Sequence, residues 1–572
     1  MVKGLPQPDD FTAAKAASTP VVRHLRQVLL WPLQLLPAPG GPGKGQRQRQ
    51  QHARPWRVLR DLGDATPWRE LVDEYTGAGG RFQERHYNEF VSFLPVVQRF
   101  LYGQGRARRE AAAANPRRGE ADSPMRVFRR HDIAQVRVQT RPGAPVLTLD
   151  IAHIDLYFFF DVDMVLLNVE VMARDLPLPL AEDLLYRFGR AYPSGWDEAG
   201  QALHCLHSAE WLGADGQVLA QSDAHLREVF LAHVAEHRAP RMAAHWAHVM
   251  QPLVAEHAEG EGALRFRQIE YYRMPMMAFI AVDEPAALSR NDFVRLGLVT
   301  GAAGLDGIGE GGHLPDFEAR HCYDRFWVDA GAAPRTRYLC SGHALVVVGD
   351  AQAAFYTCRE RGVLAQFRHQ HFLLFLIAHF QKSALLMFSD RLVEALQALN
   401  VASPGSVRRF KRNIRGSFEV FLRFTHRYWF HEVSEQAHVR ALFHLTTQHL
   451  GVDPLYTEVK ERIADMNSYL DADSLRRQAN TVVRLTVVTI FGLIGTITTG
   501  FLGMNLLAEA EAPLSRRLTI FAVVFMATTA LTFYTMAKSK RLSDFLDDLS
   551  DEHLPWWRKA YALARVWLPR RD

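Results

Sequence analysis

The stretch that decides the fold is LTVVTIFGLIGTITTGFLGMNLL, residues 485–507, which contains no Asp, Glu, Lys, Arg or His. A second stretch, residues 518–537, contains none of these residues either. Each stretch is long enough to cross a hydrocarbon core of about 30 Å as a helix. Because only residues 508–517 separate them, the sequence predicts an antiparallel transmembrane hairpin whose two long flanks lie on the same side of the membrane.

Basic residues determine the predicted orientation of this hairpin. The flanks carry Arg476, Arg477, Arg484, Lys538, Lys540 and Arg541. Positive charge next to membrane spans favours the cytoplasmic side. Arg516 and Arg517 in the loop weaken this preference without reversing it. We therefore expect a multi-pass protein of the inner (plasma) membrane with both termini in the cytoplasm and lipid as a partner.

A single hairpin cannot enclose an aqueous path, so transport requires several copies with one helix of each lining a shared axis. The first span is the better candidate for this lining, because it is rich in small and hydroxyl residues that permit close helix packing. These are Thr486, Thr489, Thr496, Thr498, Thr499, Gly492, Gly495 and Gly500. The alternative is a membrane anchor whose threonines bond back to their own helix.

The residues that end the first span favour a cation pathway. In the predicted orientation the carbonyl end of this helix, with its partial negative charge, faces the outer mouth. Gly503 lets the backbone turn its carbonyl toward the axis, and Asn505 adds a neutral carboxamide oxygen. Neutral oxygens suit Mg²⁺, because this ion sheds its water shell reluctantly and is recognised through it.

A Gly-Met-Asn tripeptide at the end of the first of two C-terminal spans resembles the signature of CorA-type magnesium channels. This resemblance covers residues 454–541 and, more loosely, the layout from residue 126 onward. It implies an α+β fold: a homopentameric, funnel-shaped channel with a cytoplasmic α/β domain and a long helical stalk that continues into the pore. By position, it also implies an outer selectivity ring of Gly503, Met504 and Asn505, with Asn505 as the metal-contacting residue.

The resemblance assigns further pore positions. Thr496 and Leu493 match the upper polar and hydrophobic positions of the family, and Val482 lies near its inner hydrophobic gate. The family's proline is replaced by Ile494, and its aromatic residue before the tripeptide by Leu502. The acidic loop motif is absent, and Glu509 and Glu511 are expected to supply its negative field. The acids nearest the inner mouth, Asp465, Asp471 and Asp473, are candidates for regulatory Mg²⁺ binding, with a solvated stalk face as the alternative.

The rest of the chain is divided by changes in pattern. Residues 1–125 contain an apolar segment (28–36) followed by runs of arginine, and they predict a basic, partly disordered extension. We expect deletion of residues 1–120 to preserve insertion and oligomerisation. Residues 126–350 mix strand and helix patterns, and residues 351–480 show long amphipathic helices. Residues 481–541 hold the hairpin. Residues 542–572, which contain Trp556, Trp557 and Trp567, predict an interfacial amphipathic tail.

Other features exclude or weaken competing functions. The four cysteines form no CxxC pair, and the excess of Lys+Arg (67) over Asp+Glu (62) is small, so we expect no disulfide framework and no nucleic-acid partner. His233, Glu236 and His237 form an HxxEH motif, but a histidine-rich chain produces this spacing by chance. We therefore expect no enzyme and no cofactor other than Mg²⁺ as cargo and regulator. A ZntB-type Zn²⁺ transporter and a membrane-anchored metal-binding or zinc-hydrolase domain are the alternatives.

Overall fold

The structure is a computed structural model that describes residues 19–36, 55–71, 84–103, 125–159, 162–258, 262–270, 273–302, 314–400, 403–503, 513–516, 518–524, 526–530 and 534. The chain is mixed α+β. It divides into two compact units, with the boundary between Lys460 and Glu461. The predicted tail, residues 542–572, lies outside the described residues.

The described part of the first unit contains one large twisted sheet of fourteen strands. The strands are β1 (Val21–Leu36), β2 (Trp68–Glu70), β3 (Met125–Arg130), β4 (Gln135–Gln139), β5 (Val146–Phe159), β6 (Met164–Pro177), β7 (Ser208–Leu212), β8 (Val218–Gln221), β9 (Leu253–Ala255), β10 (Leu264–Gln268), β11 (Met276–Val282), β12 (Cys322–Tyr323), β13 (Arg337–Cys340) and β14 (Ala344–Asp350). The main path runs β12-β13-β14-β11-β1-β6-β5-β4-β7-β8, with β10 also on β1 and β3 also on β5.

The centre of this sheet is β1, which corrects the prediction of a dispensable N-terminal extension. This strand pairs antiparallel with β6 from Val21↔Pro177 to Gln34↔Met164, and with β11 and then β10 on its other side. Its residues are almost entirely buried, and Trp31 is fully buried against Trp246. Burial of this many apolar side chains outweighs the ordering entropy that the arginine-rich composition around it suggested.

Helices cover the sheet and extend beyond it. They are α1 (Trp56–Leu62), α2 (Glu84–Ser92), α3 (Pro95–Tyr102), α4 (Leu178–Arg187), α5 (Arg227–His237), α6 (Ala244–Met250), α7 (Arg290–Leu298), α8 (Leu314–His321), α9 (Ala354–Thr357), α10 (Val363–Gln366), a π-helix (Phe367–His371), α11 (Phe372–Gln397), α12 (Pro404–Tyr428), α13 (Ala437–Leu450) and α14 (Val452–Gly503).

Helix α11 joins the helical layer to the sheet, so the predicted boundary at residue 350 does not separate two domains. Phe380 stacks on Phe159 of β5 with ring centroids 4.0 Å apart, and Arg267 of β10 forms an ion pair with Asp390 at 3.0 Å. Both layers therefore share one core, and the first unit includes the N-terminal strand, the sheet and the helices as far as Lys460.

One continuous helix among the described residues, Val363–Gln397, is long and apolar enough to cross a membrane by length and composition. Its apolar window is 83% buried inside the protein. The same length and composition are found in core helices of soluble proteins. This degree of burial is that of a core helix.

Helix α14 is unbroken over 52 residues. At 1.5 Å per residue it is about 78 Å long. It contains the last part of the predicted helical domain (351–480) and most of the first predicted span in one element, so the structure has no break at residue 480, where the sequence division put one. A shorter apolar segment within it, Thr481–Ile490, lies at the start of that span.

Candidate ion pathway

The described part of the first predicted span ends where the candidate selectivity ring begins. Gly503 is the last residue of α14. Met504, Asn505, Glu509 and Glu511 lie outside the described residues. Helix α14 is thus continuous as far as the first residue of the predicted ring.

The predicted pore positions lie on one stripe of α14. Val482, Thr486, Thr489, Leu493, Thr496, Gly500 and Gly503 follow one another at alternating intervals of four and three residues. In a continuous helix with 3.6 residues per turn, this spacing keeps them on one face. Val482 and Leu493 are 62% and 60% exposed, and the side chains of the three threonines are exposed as well.

Each threonine on this stripe donates its hydroxyl hydrogen to the carbonyl one turn earlier. The distances from Oγ1 to the carbonyl oxygen are 2.9 Å for Thr486, 2.8 Å for Thr489 and 2.9 Å for Thr496. Such back-bonding is the feature expected of a plain anchor helix. It also has a chemical consequence. The single hydroxyl hydrogen is already used in the bond to the carbonyl, so the threonine oxygen can only accept hydrogen bonds from groups beside the stripe.

The opposite face of α14 packs against the second apolar segment, which is helical over residues 514–516, 518–524, 526–530 and 534. A Cβ placed on Gly495 would lie 3.9 Å from Cβ of Thr528, whereas one placed on Gly492 or Gly500 would meet nothing within 4 Å. Val487 is only 6% exposed. Gly495 is thus the point of close approach between the two helices, and the threonine stripe faces away from it.

Large apolar side chains cover the outside of the hairpin. Besides Val482 and Leu493, they include Leu485 (66%), Leu514 (73%), Leu518 (58%), Phe521 (62%), Val523 (56%) and Met526 (64%). Contiguous exposed apolar surface of this kind is typical of a region that contacts lipid or another protein chain. The hairpin by itself therefore leaves its apolar surface uncovered.

The candidate regulatory acids all belong to α14. Asp465 is exposed. At 3.6 residues per turn it lies roughly 100° around the helix from Val482, away from the face that carries the pore positions. The side chains of Asp471 and Asp473 are outside the described set.

The HxxEH motif lies on α5 in the first unit, at the edge of an open cleft. The rings of His233 and His237 are 4.6 Å apart, and His257 stacks on His237 at 4.8 Å with an interplanar angle of 7°. Burial, together with His237 and His257, lowers the pKa of His233. Parallel stacked rings do not converge on one point. In the described part of the chain, no group of three His, Cys, Asp or Glu residues is arranged to hold a metal ion.

No family model, curated protein or solved structure matches the chain. Sequence reasoning selected Val482, Leu493 and Thr496, and the structure brings them together on one stripe. It missed that Gly495 contacts the second helix, because that contact depends on which residue of the second segment lies beside it.

Proposed function

We propose that the chain is one subunit of a homo-oligomeric divalent-cation channel of the CorA type, which passes Mg²⁺ across the membrane along α14. The observation that carries this proposal is the stripe from Val482 to Gly500. It is exposed, lined with hydroxyl acceptors and opposite the packed face of the hairpin, and it precedes the Gly503-Met504-Asn505 tripeptide. In this proposal the hairpin is a two-span membrane region with both long flanks in the cytoplasm.

The spacing of the stripe supports an arrangement of several α14 copies around an axis. Alternating intervals of three and four residues form the seam by which helices pack side by side at small crossing angles. Small residues on the seam, Gly500 and Gly503, allow close approach near the outer end. The resemblance to the CorA family supplies the number five, and the second helices then contact lipid.

The chemistry of the stripe suits a hydrated ion. The waters around Mg²⁺ direct their hydrogens outward, so they require acceptors, and the back-bonded threonines offer acceptors only. Asn505 oxygens and the terminal carbonyls of α14 would add partial negative charge at the mouth. Leu493 and Val482 would form apolar constrictions between these polar levels, of the kind that gate by dewetting.

No proton-coupling group is present in the sequence of either span, so the proposal assigns passive transport. The membrane potential contributes about 2.3 kcal/mol per elementary charge per 100 mV, and roughly twice that for a divalent ion. This driving force is sufficient for uptake. Mg²⁺ held between neighbouring copies of Asp465, with Asp471 and Asp473, would favour the closed state by reducing the repulsion among these acids.

The test is ion flux into liposomes that contain the purified full chain, measured for Mg²⁺, Zn²⁺, Co²⁺ and Ni²⁺. We expect Mg²⁺ flux in the wild type and its loss in Asn505→Ala, with insertion and oligomeric state retained, because this change removes carboxamides and no core volume. Asn413→Ala, at an exposed position of α12, is the matched control and should conduct normally.

The other outcomes of the flux experiment would indicate different functions. A preference for Zn²⁺ over Mg²⁺ would indicate a transporter of the ZntB type. Insertion of the wild type without flux of any of the four ions would indicate an anchor for the cytoplasmic unit. Normal Mg²⁺ flux in Asn505→Ala would exclude Asn505 from the selectivity ring.

A further inference from the structure

Helix α12 has two faces of opposite character. It begins after Ser403, whose side chain accepts a hydrogen bond from the backbone N–H of Ser406. One face is buried in the helical layer of the first unit, where Phe410, Ile414, Phe421 and Phe424 are each at most 5% exposed. This burial fixes the rotation of the helix and turns its other face to solvent.

The solvent face is strongly basic. The helix carries seven basic residues and one acid, Glu419: the basic residues are Arg408, Arg409, Lys411, Arg412, Arg415, Arg423 and Arg427. The side chains of Arg408, Arg409, Arg412 and Arg415 are exposed. Throughout the described residues, no acid forms an ion pair with any of these four.

Several other arginines of the first unit, by contrast, have acidic partners. Arg129 binds Asp155 at 2.8 Å, Arg137 binds Glu210 at 2.9 Å, and Arg337 binds Asp324 at 2.8 Å. Four adjacent uncompensated guanidinium groups repel one another and destabilise the folded chain unless an external anion is near. The basic face therefore has the charge of a surface that binds a polyanion.

The spacing of the basic face suits phosphate groups on a surface. Arg408, Arg412 and Arg415 follow one another at intervals of four and three residues, so they form a line with steps of about 6 and 4.5 Å along the helix. Planar guanidinium groups bind phosphate oxygens in a bidentate manner. Since the apolar face of α12 is already buried in the protein, this helix cannot insert into a bilayer, and its contact would be with headgroups alone.

We propose that the basic face of α12 binds the anionic phospholipid headgroups of the membrane that holds the hairpin. This inference rests on the proposed function only for the presence of a bilayer. Tethering to that bilayer by the hairpin favours headgroups over nucleic acid, because it keeps the phosphates at high local concentration. Lysine and arginine side chains near an anionic leaflet each add to binding, and the contribution is screened by salt.

The test uses the full chain, purified in detergent and titrated with phosphatidylglycerol or phosphatidylcholine, with bound lipids counted by native mass spectrometry. The variant is Arg408→Gln/Arg412→Gln/Arg415→Gln. The control, Arg137→Gln/Arg320→Gln/Arg335→Gln, removes the same charge from arginines that already have acidic partners in Glu210, Asp316 and Asp329. We expect the variant to bind phosphatidylglycerol about tenfold or more weakly, and the control to match the wild type.

Added salt should abolish the preference of the wild type for phosphatidylglycerol over phosphatidylcholine. Equal binding of phosphatidylglycerol by the wild type and the α12 variant would overturn the proposal. A single-stranded oligonucleotide that displaces phosphatidylglycerol from the wild type, and fails to bind the variant, would assign the surface to nucleic acid and overturn it as well. Absence of ion flux in liposomes would refute the channel and leave this lipid result unchanged, so the two failures are distinguishable.

Discussion

The unit that ends at Lys460 and the helical hairpin that follows it differ in how far their side chains are buried. The first buries even charged and polar groups, and Asp155, Asn168 and Glu170 are at most 2% exposed in the centre of its sheet. The hairpin leaves Leu485 and Phe521 more than 60% exposed. The first unit therefore carries a core of its own, whereas the hairpin leaves large apolar side chains exposed, a feature typical of surfaces that contact lipid or another chain.

Removal of β1 should have the largest effect, because it should prevent folding of the first unit. Deletion of residues 1–120 takes out the strand that joins β6 to β11 and β10, so we expect the first unit to aggregate or to remain unfolded. Solubility, near-ultraviolet circular dichroism and the pattern of limited proteolysis would measure this outcome.

A single substitution provides a graded version of the same test. Trp31→Ala should destabilise the first unit by about 3–5 kcal/mol, because the indole is fully buried against Trp246. Val146→Ala, at a side chain that is 57% exposed on the same sheet, should change stability by less than about 0.5 kcal/mol. If the protein that lacks residues 1–120 is soluble and its limited-proteolysis pattern matches that of the wild type, β1 is dispensable.

The role of β1 was not predictable from the sequence for identifiable reasons. Its strand partners are far away along the chain, and the buried ion pair between Arg26 and Glu170 joins residues that are 144 positions apart. Pro32, which lies inside the strand, is more typical of sheet edges. Local composition therefore indicated a basic extension, whereas the strand is stabilised by contacts that form only in the folded chain.

The helical course of the first apolar segment was more predictable, because its signals are local. An uncharged stretch, a short loop and the spacing of Val482, Leu493 and Thr496 are readable from the sequence, and the continuous helix gives them a common face. The burial of the opposite face at Gly495 was not readable, because it depends on which residue of the second segment lies beside it. The basic face of α12 was missed for a similar reason, since the sequence does not show which arginines have acidic partners.

The contact at Gly495 provides a second prediction, confined to the hairpin. Gly495→Leu should weaken the packing of its two helices by about 1–3 kcal/mol, because the added side chain meets Thr528. Gly492→Leu is the control, since a Cβ there meets nothing within 4 Å. The temperature at which the purified oligomer dissociates would report this difference, while tryptophan fluorescence should show an unchanged first unit in both variants. Equal dissociation temperatures would show that Gly495 is not a packing contact.

The third prediction uses pH to perturb only the first unit. Burial lowers the pKa of His371 to about 3, and neither ring nitrogen has a hydrogen-bond partner among the described residues. The folded state therefore holds this imidazole neutral, so its contribution to stability is complete above the unfolded pKa near 6.5 and is lost as pH falls below it. At about pH 5 the loss amounts to roughly 2 kcal/mol.

His371→Leu removes this titration and no hydrogen bond. We expect urea midpoints close to that of the wild type near neutral pH, within about 1.5 kcal/mol, and a smaller loss of stability in the variant on acidification. The stability at neutral pH is the internal control for packing damage. Parallel pH dependence in the two proteins would show that protonation of this histidine does not contribute to acid unfolding.

The last and smallest effect concerns the two faces of the hairpin. Thr496 and Thr499 both bond back to their own helix, at 2.9 Å to the carbonyl of Gly492 and 3.0 Å to that of Gly495. Thr496 lies on the exposed stripe, whereas Thr499 is half-buried. Thr→Val is nearly isosteric and removes only the hydroxyl. Comparison of the two variants therefore separates the role of a hydroxyl on the exposed stripe from the role of a hydroxyl that bonds only to its own helix.

If the stripe lines the pathway, Thr496→Val removes one ring of acceptors from a hydrated ion. The loss of a hydrogen bond worth about 0.5–1.5 kcal/mol corresponds to a threefold to tenfold fall in Mg²⁺ flux. Thr499→Val should keep flux within about twofold, because its hydroxyl serves the helix and not the ion. Flux into liposomes at equal protein content measures both. A larger fall in Thr499→Val than in Thr496→Val would place the pathway on the other face of α14. The close contact between Gly495 and Thr528 occupies that face in the present arrangement. The two helices of the hairpin would therefore have to separate in the conducting oligomer.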